Sequence, residues 1–286
     1  YTSRTQFHKF SNACPEGCFW CVSPKDGIVW KHPEDAVAAL VAGHRGAWHD
    51  SIAIVDNNLA AHYGYMRETC ELLSRSAVAH VPKHGKATVT GMRPELIHAL
   101  GEAGFVRIAY GIESFDGNVR AQLGKVYSDE DATACLEHSL GAGIRPEINL
   151  ILCSPFETLA SLKYTLEQAA LWSGERDCWI AVVLGLYCTV GTGTHPPGLS
   201  IVTRKGSQGE HPWIFAPGAE VSDIFFESIS RYNADLLSLR ERVNAPIPHH
   251  VKSLLKCATL SHIIGTDASA FERTIERQLK QPYVHI

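Results

Sequence analysis

From residue 6 to about residue 190 one pattern recurs: a short apolar or β-branched run, a turn, then a stretch with apolar positions at helical spacing. Gln6–Phe10 reads as the first strand. Pro33–Ala42 reads as a helix, with Pro in its first turn, acids near its start and Gly43 after its end. Ser51–Val55 predicts a strand and Tyr65–Ser74 a helix. Ala87–Thr90 predicts the third strand, and Pro94–Ala103 a helix stopped by Gly104. Arg107–Ile112 is the fourth strand, followed by a helix that Ser128 and Asp131 open as a capping box and that ends near Gly141. Glu147–Leu152, the helix Thr158–Trp172 and the strand Trp179–Leu186 complete the series.

Six such units with short connections imply an α/β fold with a parallel sheet and helices packed outside it. The near-continuous apolar run IAVVLGL suits a sheet covered on both faces. Eight units would close a TIM barrel, so six predict an open, partial (β/α)6 TIM-like barrel, with active groups in the loops after the strands. Beyond about residue 200 the pattern changes. The polar stretch TRKGSQGEHP leads into helical segments at Val221–Val243 and Pro248–Leu279. The expected organisation is therefore a barrel over residues 1–200 with a C-terminal helical extension over 201–286 that closes or flanks it.

Composition changes this picture little. The formal net charge of −4 gives no electrostatic reason to expect nucleic acid or an anionic membrane as partner. No apolar run approaches the ~20 residues that span a bilayer, and the polar start YTSRTQFHKF lacks the apolar core of a secretion signal. Nine cysteines, an odd number in a large chain, do not suggest a disulfide framework. Cys70, Cys135, Cys153, Cys178, Cys188 and Cys257 are scattered singly and read as small buried hydrophobes. The histidine pair His249–His250 reads as solvent-exposed caps.

The other three cysteines are clustered in Cys14-Pro-Glu-Gly-Cys18-Phe-Trp-Cys21, a C-x3-C-x2-C string directly after the first strand. Shuffled cysteines would give this spacing roughly 0.01 times in a chain of this length. Three thiolates on one short loop can bind three irons of a [4Fe–4S] cubane and leave the fourth iron without a protein ligand, the open position of a chemical site. Zinc is an alternative, although structural zinc uses paired C-x2-C units and no second pair exists here. A ferredoxin-like electron carrier is another, although it wants a fourth cysteine at family spacing.

With Trp20 just before the last cysteine and six βα units around it, this loop resembles that of the radical S-adenosylmethionine (SAM) superfamily. The resemblance runs from about residue 6 to residue 195. It implies a [4Fe–4S] cluster on Cys14, Cys18 and Cys21 and SAM on the open iron. It also implies reductive cleavage of SAM to a 5′-deoxyadenosyl radical that abstracts hydrogen from a substrate. Gly111-Ile-Glu113-Ser114 resembles the family's box after the fourth strand, in which Glu113 would take the ribose hydroxyls. In LGKVYSDED, Lys125 would take the methionine carboxylate. Asp56, Asn57 and Asn58, after the second strand, would lie beside cluster and SAM, and Arg93 closes the third strand where relatives also carry an arginine. Asn149 lies on the fifth strand, and Ile148–Thr158 resembles an apolar-strand, Gly-x-Pro-x-Glu-Thr pattern in which Cys153 replaces the glycine. That thiol stands near the reaction chamber, either as a hydrogen-atom donor or as an inert wall. Gly191 in Val190-Gly-Thr would contact adenine through its backbone, and His195 would reach substrate.

The overall motif texture resembles the branch that includes cobalamin-dependent enzymes, although no Asp-x-His-x-x-Gly cobalamin motif is present. The resemblance thus implies direct use of the adenosyl radical on a small biosynthetic substrate, in rearrangement, dehydrogenation, decarboxylation or epimerisation. The other implied reaction is cobalamin-dependent C-methylation with a cobalamin domain outside these residues. Flavodoxin or ferredoxin would supply electrons in a reducing cytoplasmic setting.

Overall fold

A computed structural model describes residues 4–11, 14, 16–21, 29–45, 49–186, 198–203 and 213–280. Among these residues, six parallel strands form one sheet in the order β1-β2-β3-β4-β5-β6. They are β1 (Thr5–His8), β2 (Ser51–Ile54), β3 (Lys83–Ala87), β4 (Phe105–Glu113), β5 (Arg145–Leu152) and β6 (Trp179–Leu184). The crossovers carry α1 (Pro33–Arg45), α2 (Tyr63–Ser74), α3 (Pro94–Glu102), α4 (Gly117–Gln122), α5 (Asp129–Gly141) and α6 (Leu159–Gly174). Strand order equals chain order and β1 does not pair with β6, so the sheet is the expected open barrel segment. Among the described residues no helix is long and apolar enough to cross a membrane.

Alternation along β4 defines the two faces. Ile108, Tyr110 and Ile112 are fully buried against the helix layer, and the Tyr110 hydroxyl meets Ser139 of α5 at 2.8 Å. Arg107, Ala109, Gly111 and Glu113 occupy the opposite, inner face. Each fully buried aliphatic side chain of the helix-facing layer contributes about 1.5–3 kcal/mol. Capping boxes at Ser128/Asp131 and Thr158/Ser161 set the starts of α5 and α6.

β3 lies four residues earlier than the pattern predicts, at Lys-His-Gly-Lys-Ala rather than Ala87–Thr90. Polar residues hide it. Lys83 is fully buried, with its ammonium donating to the carbonyls of Val78 (2.7 Å), Val81 (3.0 Å) and Ala79 (3.3 Å). His84 and Lys86 point the other way.

The C-terminal region adds a short antiparallel pair, β7 (Ile201–Thr203) with β8 (Trp213–Phe215), that the polar stretch between them did not announce. Three helices follow: α7 (Ser222–Val243), α8 (His249–Ile264) and α9 (Ser269–Lys280). The single segment expected from Pro248 to Leu279 is broken at Gly265, a left-handed helix end. α8 lies along β6, where Ser253 accepts from Val182 N at 3.1 Å and Lys256 donates to Val182 O at 2.7 Å. His250 is not an exposed cap. Its ring stacks on Trp179 at 4.5 Å and 12°, and burial lowers its pKa to about 4.

Gly104 stops α3 at φ +82°, and a Cβ there would lie 2.5 Å from the Ala79 carbonyl oxygen. Gly104→Ala is therefore expected to cost about 2–3 kcal/mol. Gly141, whose Cβ would meet nothing within 4 Å at the end of α5, is expected to gain about 0.5–1 kcal/mol as alanine. Chemical denaturation of the two variants checks the pair, and equal effects would contradict the packing described.

Candidate active site

The chemistry-bearing residues gather beyond the carboxyl ends of the strands. Asp56 leaves β2 and turns back. Its carboxylate, 2% exposed, accepts from Phe10 N, Ser11 N and the Ser11 hydroxyl, each at 2.7 Å. Those donors are the residues entering the cysteine loop, so Asp56 anchors that loop to the sheet. Burial pushes its carboxyl up despite the three donors. Asn58 caps the following 3-10 turn and holds Thr88 beyond β3, accepting from Thr88 N and donating to Thr88 Oγ1, both at 3.2 Å. Thr88 in turn donates to Glu16 of the cysteine loop at 3.1 Å. Asn57, between them, is exposed.

Within the loop, Cys14 and Cys18 are buried and Cys21 is half-buried; Cys21 N donates to Cys18 O at 3.2 Å. The loop docks on the turn after α4. Trp20 Nε1 donates to Leu123 O at 3.1 Å. Gly124, at φ +84°, brings its backbone so close that a Cβ would lie 3.3 Å from Cys18 Cα. The next residue, Lys125, is 5% exposed and reaches Glu113 at the end of β4, Nζ to Oε1 3.4 Å. Gly111 makes room for this pair, since a Cβ there would stand 2.6 Å from Glu113 Oε1 and 3.1 Å from Lys125 Nζ.

Burial pushes the Glu113 carboxyl up and Lys125 only partly offsets it. Burial alone would pull Lys125 down, but Glu113, with Cys18 and Glu16 behind it, holds the ammonium above its ordinary value. The Cys14 and Cys18 thiols are also pushed up by burial, and Cys18 is coupled to both Lys125 and Glu113. The structure thus brings the cysteine loop, Glu113 and Lys125 together.

Other residues singled out from sequence take different places. Ser114 is fully buried, with its hydroxyl 3.0 Å from Thr165 of α6 and accepting from Asp116 N at 3.1 Å. Arg93 is exposed, and its guanidinium lies over Tyr63 at 4.8 Å. Asn149 is half-buried on the inner face of β5, in register with Gly111. Gly191 and His195 lie outside the described residues.

Cys153, at the end of β5, is fully buried and has φ +60°. It therefore keeps the left-handed conformation that glycine adopts without cost. Its N–H and that of Ser154 donate to Glu157 Oε2. Burial pushes the Cys153 thiol up. Glu157 Oε1 and Ser154 Oγ are buried without partners among the described residues, and burial raises the Glu157 carboxyl to about 8. Sequence reasoning missed Glu157, Glu16 and Arg120. The last is 2% exposed and donates to Ser114 O (3.2 Å) and Phe115 O (2.8 Å), holding the β4 exit. Glu16 carried a signal by lying inside the cysteine string, and Glu157 by being the Glu of the Pro-x-Glu-Thr pattern after the fifth strand.

The donors fit an iron–sulfur cubane. Three thiols share one short loop, and open space adjoins Gly17, where a Cβ would meet nothing within 4 Å. Among the described residues no three His, Cys, Asp or Glu side chains converge for a single ion. A cubane spreads its thiolates over separate irons.

The sequence profile of the radical SAM superfamily matches residues 8–169. No curated protein matches the sequence. Among solved structures, the fold is similar to that of TsrM, a radical S-adenosylmethionine methyltransferase from Kitasatospora setae, determined with tryptophan substrate and a SAM analog. The TM-score is 0.66 at 13% identity, covering 96% of this chain and 62% of that one. The cobalamin-dependent radical enzyme OxsB gives 0.51 at 17% identity over 56% of this chain and 26% of that one. Methylornithine synthase (PylB) gives 0.51 at 14% identity over 68% and 58%. The chain spans 62% of the TsrM length, and these likenesses concern the fold.

Between pH 4.5 and about 8 the folded protein keeps a proton on Glu157 that the unfolded chain has lost. Its contribution to stability is therefore present in acid and falls as pH rises through that window. Glu157→Gln keeps an acceptor for the two N–H groups and removes the titration. Urea unfolding at about pH 5 and about pH 8 is expected to show the variant gaining on the wild type at the higher pH. An unchanged difference would refute the assignment.

Proposed function

This chain belongs to the radical SAM superfamily of enzymes, and from that premise we propose that it cleaves SAM reductively and uses the adenosyl radical on a small substrate. The superfamily uses a [4Fe–4S] cluster and SAM. Cys14, Cys18 and Cys21 would hold the cluster, which when bound would supply the one electron that splits the sulfonium into methionine and a 5′-deoxyadenosyl radical. Hydrogen-atom abstraction from substrate would then leave 5′-deoxyadenosine and a substrate radical. A flavodoxin or ferredoxin is the electron donor in this reading.

One observation carries the reading: a buried, oppositely charged pair, Lys125 and Glu113 at 3.4 Å, lies against the cysteine loop. SAM is itself a zwitterion with a hydroxyl-bearing ribose. Lys125 is suited to its methionine carboxylate and Glu113 to its two ribose hydroxyls, each exchanging its partner for a charge-assisted contact with ligand. Asp56 and Asn58 act on the loop's position, through Phe10, Ser11 and the Thr88–Glu16 contact. In this reading Asn149 faces the chamber from β5, Cys153 lies buried at the end of that strand, and Ser114 and Arg93 keep only their sequence-based assignment to SAM. Asn57, Gly191 and His195 remain the sequence-based assignments for SAM and substrate contact.

A second reading is cobalamin-dependent C-methylation. It is favoured by the likeness to TsrM, which extends over 97% of this chain in the structure with cobalamin and a [4Fe–4S] cluster bound. Methyl transfer would release S-adenosylhomocysteine and require added cobalamin, whereas radical chemistry alone releases 5′-deoxyadenosine and methionine.

Anaerobic protein loaded with iron and sulfide, then given SAM and dithionite, is expected to release 5′-deoxyadenosine and methionine in equal amounts. Release of neither product, as from a simple electron carrier, would overturn the proposal. Loss of one charge-assisted contact is worth about 1.5–3 kcal/mol. Glu113→Gln is therefore expected to lower kcat/KM for SAM roughly ten- to hundredfold.

A further inference from the structure

The inner face of the sheet carries charge where a barrel of this kind normally packs apolar side chains. Lys86 of β3 is in register with Ala109 of β4, Ala109 with Glu147 of β5, and Glu147 with Trp179 of β6. Neighbours in register share a face, so these side chains form one row across the interior. Two rows nearer the carboxyl ends lies Glu113, roughly 13 Å away along the strands at ~3.3 Å per residue. One row deeper, His84 is in register with Arg107.

Most of the charge in this region is matched. Arg107 pairs with Glu147 at 3.3 Å and lies 4.8 Å over Trp179, and Arg145 pairs with Asp177 at 2.9 Å. Two groups are not matched among the described residues. Lys86 is exposed and makes no ion pair or hydrogen bond. His84 is 7% exposed, and both its ring nitrogens are buried without a partner. Burial and Arg107 lower its pKa to about 4, so the ring is neutral, with one donor and one acceptor available.

An unpaired cation above an unsatisfied neutral imidazole is an unfinished recognition site, and we infer that it is finished by the carboxylate of the substrate, held by Lys86 with His84 donating beneath it. Lys86 is a single unmatched positive charge, which suits a monoanion better than a phosphate. A small molecule anchored there would extend toward Glu113 at the rim. This places a carboxylate-bearing substrate in the chamber and makes Lys86 a specificity-determining residue. The inference rests on the adenosyl-radical reading for the identity of the chamber.

Ligand-observed NMR titration of the anaerobically loaded holoenzyme tests it, with benzoate, benzamide and phenyl phosphate as probes. Benzoate is expected to bind about fivefold or more tightly than benzamide, the scale of one partly shielded ion pair. Lys86→Gln should abolish that preference and Lys86→Arg should retain it, with melting temperatures unchanged because Lys86 is exposed. Equal binding of benzoate and benzamide, or a preference surviving in Lys86→Gln, would overturn the site, and tighter binding of phenyl phosphate would overturn the carboxylate assignment. Deoxyadenosine release by the wild type is measured separately. A benzoate preference without that release would contradict the radical reading while leaving the anion site standing.

Discussion

The Glu113–Lys125 ion pair is the interaction on which the rest of the site depends. Removing two charges from water costs several kcal/mol per ion, and their attraction recovers this only with good geometry. Three features supply that geometry: the turn at Gly124, the missing side chain at Gly111 and the left-handed backbone of Glu113 at φ 67°. The cysteine loop docks on the same turn through Trp20 and the close approach of Cys18 to Gly124. Loop and pair therefore hold each other in place. An apolar pair would be as stable or more so; a charged pair at the rim makes sense when a zwitterionic ligand completes it.

Part of the backbone strain lies at the same edge. Glu113 and Cys153, at the ends of β4 and β5, both have positive φ without being glycine, a cost of about 1–3 kcal/mol each. Each is held by its surroundings. Lys125 meets the Glu113 carboxylate, and Glu157 accepts from the Cys153 N–H. The β5 exit is backed by Gly218, whose N–H donates to Ser154 O at 3.1 Å and whose Cβ, if present, would strike the Glu157 carbonyl oxygen. The cysteine in place of the expected glycine thus keeps the backbone course and adds a fully buried thiol.

Much of this was legible in the sequence because local rules acted alone. The capping box at Ser128, the glycine stop at Gly104 and the apolar runs of β4–β6 marked the alternating units. The cysteine spacing and the Gly-Ile-Glu-Ser string marked two parts of the site. What was not legible depended on pairing across the fold. β3 was misplaced because its polar residues face a buried carbonyl cluster on one side and the interior on the other. His250 looked like a surface residue until Trp179 of β6 lay beneath it. That Lys125 meets Glu113 and that Asp56 grips Ser11 are products of tertiary contact, with no local signature.

The central claim is that three thiolates hold a cubane whose fourth iron is open to SAM beside Lys125 and Glu113. Mössbauer spectroscopy of the iron-57-loaded protein tests this most directly. The account predicts a [4Fe–4S] signal in which one iron differs from the other three and shifts on addition of SAM. Iron-free protein with zinc bound at the loop, or a cluster whose four irons ignore SAM, would contradict it.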